Sequence, residues 1–165
     1  MKGGTCIKFG DNINTDVIIP ARYLVSIDPQ ELAQHAFEPL GPEVQERLRQ
    51  SKVVVAGVNF GCGSAREQAA SCLVGAGIQA VIAKSFARVF FRNSINTGLL
   101  AVECPEAAEA LKDGDEALID VEAGTVTVGD RVFRFTPYPE NLRRILDAGG
   151  LIPYISKHVL AQGRS

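Results

Sequence analysis

The stretch KVVVAGVNFGCGSAREQAASCLV, residues 52–74, decides how the chain folds. Its opening run of β-branched residues, Val53, Val54 and Val55, reads as a strand at 53–57, apolar on both sides and so covered on both faces. A glycine-rich loop follows, then apolar residues at helical spacing from Ala65 to Val74, with Gly75-Ala76-Gly77 as the stop. Ala80-Val81-Ile82-Ala83 repeats the strand signal. Strand, loop, helix and strand in that order predict a βαβ unit with parallel strands.

The same texture continues outward on the C-terminal side with a helix at 86–91 and a strand at 99–103. After Pro105 it changes. Short strands at 117–121, 125–128 and 132–135, punctuated by Gly124 and Gly129-Asp130, predict an antiparallel meander closed by a helix at 142–148. On the N-terminal side, Asp28-Pro29-Gln30-Glu31 supplies the N-cap, N1 proline and N3 glutamate of a short helix, and Gly41-Pro42 opens another that ends near Gln50. This helical excursion, 24–50, is either a mobile lid or an ordinary surface connection. The whole chain reads as one α/β domain with mixed parallel and antiparallel strands.

Composition narrows the function. At 165 residues, the chain can bury roughly 70% of its unfolded surface, enough for a core without covalent staples. The 17 basic and 19 acidic side chains leave a net charge of −2 and are scattered, which argues against a nucleic-acid partner. No run approaches the roughly 20 apolar residues needed to span a bilayer, and MKGGTCIKFGDN lacks a signal peptide's apolar core, so a soluble, cytoplasmic protein is expected. Cys6, Cys62, Cys72 and Cys104 form no C-x-x-C pair and have no histidine at ligand spacing, so no metal site is expected within this chain and the thiols are expected to be reduced.

The loop at 61–67 admits two readings. Ser64-Ala65-Arg66-Glu67 has the form of a capping box, in which Ser64 and Glu67 each satisfy the other's amide. Yet Gly61 and Gly63 bare the backbone at a helix start, where free amides and the positive dipole end attract anions. Arg66 opposes that dipole, and a bidentate grip on a substrate carboxylate would account for it. The spacing excludes a dinucleotide-binding G-x-G-x-x-G, a P-loop and a hydrolase G-x-S-x-G. With only His35 and His158 in the chain, both distant in sequence, a reactive Ser64 would have to rely on amides and cationic groups to stabilise its alkoxide.

Three ordered stretches, DNINTDVIIP (11–20), NFGCGSAREQA (59–69) and AKSFARVFFRNSINTG (83–98), closely resemble the family of 3-isopropylmalate dehydratase small subunits, the swivelling-domain branch of the aconitase superfamily. The resemblance spans essentially the whole chain. It implies a three-layer β/β/α swivelling fold and a separate large subunit that carries a [4Fe-4S] cluster. The implied chemistry is dehydration and rehydration of a small dicarboxylate in leucine biosynthesis, with Ser64 as catalytic base, Arg66 holding a substrate carboxylate and Asp16 orienting the site; by residue type alone, Asn14-Thr15-Asp16 could equally be an Asx turn or helix cap. Many relatives carry a second serine where this chain has Ala65, so any hydrogen bond from that second hydroxyl to substrate is missing here or replaced by the Ala65 backbone.

The resemblance also assigns the variable group of the substrate to the loop Tyr23-Leu24-Val25-Ser26. Leu24 and Val25 offer an aliphatic surface that suits an isopropyl group and disfavours the extra carboxylate of a homoaconitase-type acid. A dimethylmalate would fit the same surface. Neighbouring Arg22 could present a cation instead if the loop shifted, and Leu24 and Val25 could equally be core residues. A non-catalytic carboxylate- or phosphate-binding module and a serine hydrolase stay open as rival functions, and self-association into a homo-oligomer is compatible with every reading.

Overall fold

The computed structural model describes residues 1–159. A seven-stranded sheet runs through the molecule in the order β4-β3-β2-β1-β5-β6-β7. Its parallel half comprises β1 (Lys2–Lys8), β2 (Val53–Ala56), β3 (Ala80–Ala83) and β4 (Leu100–Glu103); its antiparallel half comprises β5 (Glu116–Asp120), β6 (Thr125–Val128) and β7 (Arg131–Arg134). β1 joins the halves. Its residues Cys6, Ile7 and Lys8 pair in parallel with Val53, Val54 and Val55, while Lys2 to Thr5 pair antiparallel with β5.

Alternation along the central strands separates two cores, as a strand's period of two requires. Val54, Ala56, Val81 and Ala83 face one core, where they meet Leu32 of α2 (Pro29–Ala33), Leu48 of α3 (Pro42–Arg49) and Ala69, Ala70, Cys72 and Leu73 of α4 (Glu67–Gly75). Val53, Val55, Ala80 and Ile82 face the other, where they meet Ala117, Ile119 and Val126 of the antiparallel half. The sheet therefore curls at β1 into a half-barrel, and the layers are helices, parallel strands and antiparallel strands. The expected mixed α/β, β/β/α class holds. Burial of a side chain such as Leu73 is worth about 2–5 kcal/mol against alanine, so the helix layer is held mainly by this face.

The remaining helices fill the edges: α1 (Thr15–Ile18), α5 (Arg88–Thr97), α6 (Pro105–Ala110), α7 (Glu140–Asp147) and α8 (Leu151–Tyr154), the last running into a wider turn at Ile155–Val159. Between residues 24 and 50, Leu32, Ala36, Phe37 and Leu48 are all buried in the first core. Rigid motion of the entire excursion would expose them. The stretch free of that anchoring is short, with Val25 95% and Ile27 86% exposed.

Candidate active site

The three motif stretches lie far apart in sequence, and backbone hydrogen bonds join them at the carboxyl ends of β1, β2 and β3. Ile13 O accepts from Gly61 N at 2.8 Å and Cys62 O from Thr15 N at 2.8 Å, which stitches the β1–α1 loop to the β2–α4 loop. Ser85 O accepts from Phe60 N at 3.0 Å and Phe60 O from Ala87 N at 2.9 Å, which stitches the β2–α4 loop to the β3–α5 loop. Crevices at the carboxyl ends of parallel strands are where open α/β sheets bind small ligands.

Glycine is required at two points of this seam. Gly61 has φ +82°, and a Cβ there would lie 2.3 Å from the Phe90 ring; Gly63 has φ +93°, and a Cβ would strike the Asn14 amide at 2.7 Å. The loop can therefore lie flat on α5 and on the β1–α1 loop. Phe60, Phe86 and Phe90 pack beneath it, with ring centroids 5.1–6.2 Å apart.

The capping box does not form. α4 starts at Glu67 with Arg66 as its N-cap in extended conformation and no side-chain cap bond, so Ser64 stands two residues ahead of the cap. The seam explains the displacement: the buried Thr15 hydroxyl donates to Ser64 O at 2.9 Å, drawing the serine toward α1 and away from the helix start. Ser64 and Ala65 are exposed. Nothing packs over position 64.

Arg66 and Asp16 come together across the seam. The Arg66 side chain is 15% exposed, and its guanidinium pairs with the Asp16 carboxylate and also reaches Ile19 O at 3.4 Å. Asp16 is placed by α1, whose N-cap Asn14 accepts from Asp16 N at 2.8 Å. The cap reading of Asn14-Thr15-Asp16 holds, because Asn14 caps α1, and Asp16 in addition faces the arginine. A guanidinium that holds one carboxylate has the donor geometry to hold another.

Leu24 and Val25 part company. Leu24 is half-buried against the first core, as a core residue would be, whereas Val25 is 95% exposed. Arg22 is tied to Glu38, with Nη2 to Oε1 at 2.8 Å. Asn14, Thr15 and Tyr23 take part in shaping this region; the sequence marked Asn14 and Thr15 only as part of a possible Asx turn or cap, and Tyr23 only as the start of the loop 23–26.

Among the described residues, no group of three or more His, Cys, Asp or Glu side chains is placed to hold a metal ion. Cys6, Cys72 and Cys104 are buried, and Cys62 is half-buried within the site loop. Burial, with the charges of Asp115, Glu116 and Asp113 behind it, pushes the Cys6 thiol up to about 12, and burial likewise raises Cys72. These residues do not fit an iron-sulfur cluster. No helix among the described residues is long and apolar enough to cross a membrane.

Comparison with known proteins agrees with the motif reading. The model of the aconitase C-terminal domain family matches residues 41–107. A 3-isopropylmalate dehydratase small subunit of Saccharolobus islandicus is 48% identical over 154 residues, covering 93% of this chain and 93% of the relative. One of Ruminiclostridium cellulolyticum is 48% identical over 155 residues, covering 92% and 94%. The chain belongs to the 3-isopropylmalate dehydratase small-subunit family. The crystal structure of 3-isopropylmalate dehydratase from Methanocaldococcus jannaschii superposes with a TM-score of 0.89 at 41% identity, covering 98% of this chain and 97% of that one. The superposition covers the curled sheet as a whole.

Proposed function

We propose that this chain is the base-bearing small subunit of a cytoplasmic hydro-lyase that interconverts 2-isopropylmalate and 3-isopropylmalate by dehydration and rehydration. The observation that carries the proposal is the pairing of Arg66 with a carboxylate beside the exposed Ser64, on a loop fixed from both sides. In this reading a substrate carboxylate takes over the Arg66 guanidinium from Asp16, which bounds the seat on its other side. Ser64 Oγ then accepts the proton from the carbon next to that carboxylate, and the electron pair of the broken C–H bond becomes the double bond as hydroxide leaves the neighbouring carbon. Rehydration returns the proton from Ser64 to the carbon that lost hydroxide and adds hydroxide to the carbon that lost the proton, which gives the opposite regiochemistry. Free amides at the α4 start and the Arg66 cation favour the serine alkoxide, since no histidine is joined to it by a hydrogen bond among the described residues.

The relatives are named small subunits, and we assign this chain a large-subunit partner that carries a [4Fe-4S] cluster. When bound, such a cluster would supply the Lewis acid that assists hydroxide departure. The exposure of Ser64, Ala65 and Val25 suits a site completed by a second chain. In this reading a lid motion centres on the exposed Val25 and Ile27, since Leu32, Ala36, Phe37 and Leu48 of the excursion are buried in the core. Exposed Val25, with Leu24 beside it, favours an alkyl group over a further carboxylate.

The test combines this chain with a reconstituted large subunit and follows isomerisation of 2-isopropylmalate. Turnover that needs both chains is expected. Turnover by the large subunit alone, or tight carboxylate binding by this chain with no turnover in the complex, contradicts the proposal.

A further inference from the structure

Glu38 lies outside the Ser64 loop and gathers three side chains. Its Oε1 accepts from Arg22 Nη2 at 2.8 Å and from the Tyr23 hydroxyl at 2.6 Å, and its Oε2 meets His35 Nδ1 at 2.7 Å. The Tyr23 and His35 rings stack at 3.7 Å, and the Arg22 guanidinium lies 4.8 Å from the Tyr23 ring centre. Residues 22 and 23 open the loop that carries Leu24 and Val25, and residues 35 and 38 follow the helix that closes it. One carboxylate therefore clamps both ends of the segment 24–34.

The clamp has a strained footing. Phe37, next to Glu38, is fully buried and holds φ +56°, a left-handed conformation that is costly for an aromatic residue. It is fixed there by stacking on Phe9 at 4.4 Å and by donating its amide to Ile18 O at 2.9 Å. That amide bond ties the Glu38 turn to α1, the helix that places Asp16. The acceptor role of Glu38 also shows in its acidity: bonds from Tyr23 and His35 bring the carboxyl down to about 2.

We infer that Glu38 is a positioning residue for substrate selection: it holds the 22–27 loop in one shape and keeps the Arg22 guanidinium turned away from the substrate, leaving Leu24 and Val25 to meet it. This rests on the reading that residues 24 and 25 face the variable group of the substrate. With the clamp intact, an alkyl group meets an apolar surface; with Arg22 released, a cation becomes available to an additional carboxylate.

The test uses Glu38→Gln, Tyr23→Phe and the double variant Arg22→Ala/Glu38→Gln, each assembled with the large subunit. For Glu38→Gln the KM for 2-isopropylmalate rises about tenfold while kcat changes less than about twofold, as loss of hydrogen bonds to a charged group implies. The kcat/KM ratio of homocitrate to 2-isopropylmalate rises about tenfold or more, and the double variant abolishes that gain. Tyr23→Phe, which keeps the ring stack and removes one bond, gives the same direction of change in KM at a few fold. In the isolated chain, hydrogen exchange at the Leu24 and Ser26 amides speeds up in Glu38→Gln. An unchanged substrate ratio with unchanged amide exchange overturns the inference. If the wild-type complex fails to turn over 2-isopropylmalate, the functional proposal fails instead, and amide exchange alone then decides whether Glu38 is the clamp.

Discussion

The two halves of the sheet are joined through β1 and share a core, yet they differ in what their loops do. In the parallel half, the loops after β1, β2 and β3 are hydrogen-bonded to one another and carry Asp16, Ser64 and Arg66. In the antiparallel half, the β6–β7 hairpin turns at Gly129 with nothing within 4 Å of where a Cβ would lie, and Val132 stands 57% exposed. Parallel strands need long crossovers, and those crossovers bring distant segments to one edge; a hairpin returns to its own neighbour and gathers nothing. The proposed chemistry is concentrated where topology converges, and the meander supplies a second face to the core.

Matched substitutions in the two halves sharpen that contrast. The largest difference is expected between arginines. Arg66→Ala lowers kcat/KM of the assembled enzyme by about 30- to 1,000-fold, the range for removing one partner of a hydrogen-bonded charge pair. Arg131→Ala, which removes only a guanidinium 4.9 Å from the Phe133 ring centre, leaves kcat/KM within about twofold. Equal losses would erase the distinction.

Glycines give the next contrast. Gly61→Ala and Gly129→Ala both place a methyl on a positive φ, +82° and +59°, but only the first meets a neighbour, at 2.3 Å. Strain plus overpacking puts Gly61→Ala at about 2–4 kcal/mol, or roughly 5–15 °C of melting temperature, against about 1 kcal/mol for Gly129→Ala. Calorimetry on both variants measures the difference, and similar shifts would show that the loop is not pressed on Phe90.

The smallest effect concerns the strand that joins the halves. Cys6 ionises at about 12 in the folded chain and near its ordinary 9.0 when unfolded. A raised folded value means that the contribution is complete below pH 9 and is lost between about pH 9 and 12. Denaturation at pH 8 and pH 10.5 should therefore show a steeper alkaline loss in the wild type than in Cys6→Ala; parallel pH profiles would contradict the burial argument.

Much of this was legible in residue order. The unbroken apolar runs at 53–56 and 80–83 identify β2 and β3 because strands covered on both faces need no alternation. β1 escaped notice because Gly3 and Gly4 remove the apolar signal, and its existence depends on pairing with β2 and β5 at once. α6 escaped because Pro105 reads as a break, whereas it occupies the first helical turn, where its missing donor costs nothing. α5 extends to Thr97 through polar residues that periodicity alone does not support; the Ser94 hydroxyl, on a fully buried residue, is satisfied by Phe91 O at 2.6 Å.

In the site, Ser64 and Arg66 could be singled out from their glycines and from the dipole argument, but the capping box was the wrong local structure. S-x-x-E specifies a cap only if the serine is free to adopt it, and the Thr15 hydroxyl, 49 residues away in sequence, holds the serine carbonyl elsewhere. The Asp16–Arg66 pair and the Glu38 clamp share that character. Both depend on which loops the topology brings together, and no spacing rule encodes it.

The central claim is that an exposed hydroxyl beside a seated carboxylate carries the proton. Ser64→Ala, assembled with the large subunit, tests it most directly, because among the described residues that hydroxyl makes no hydrogen bond whose loss would disturb the fold. The expected result is a fall in kcat of about 100- to 10,000-fold, with subunit assembly and melting temperature essentially unchanged. Turnover within a few fold of wild type would place the base elsewhere.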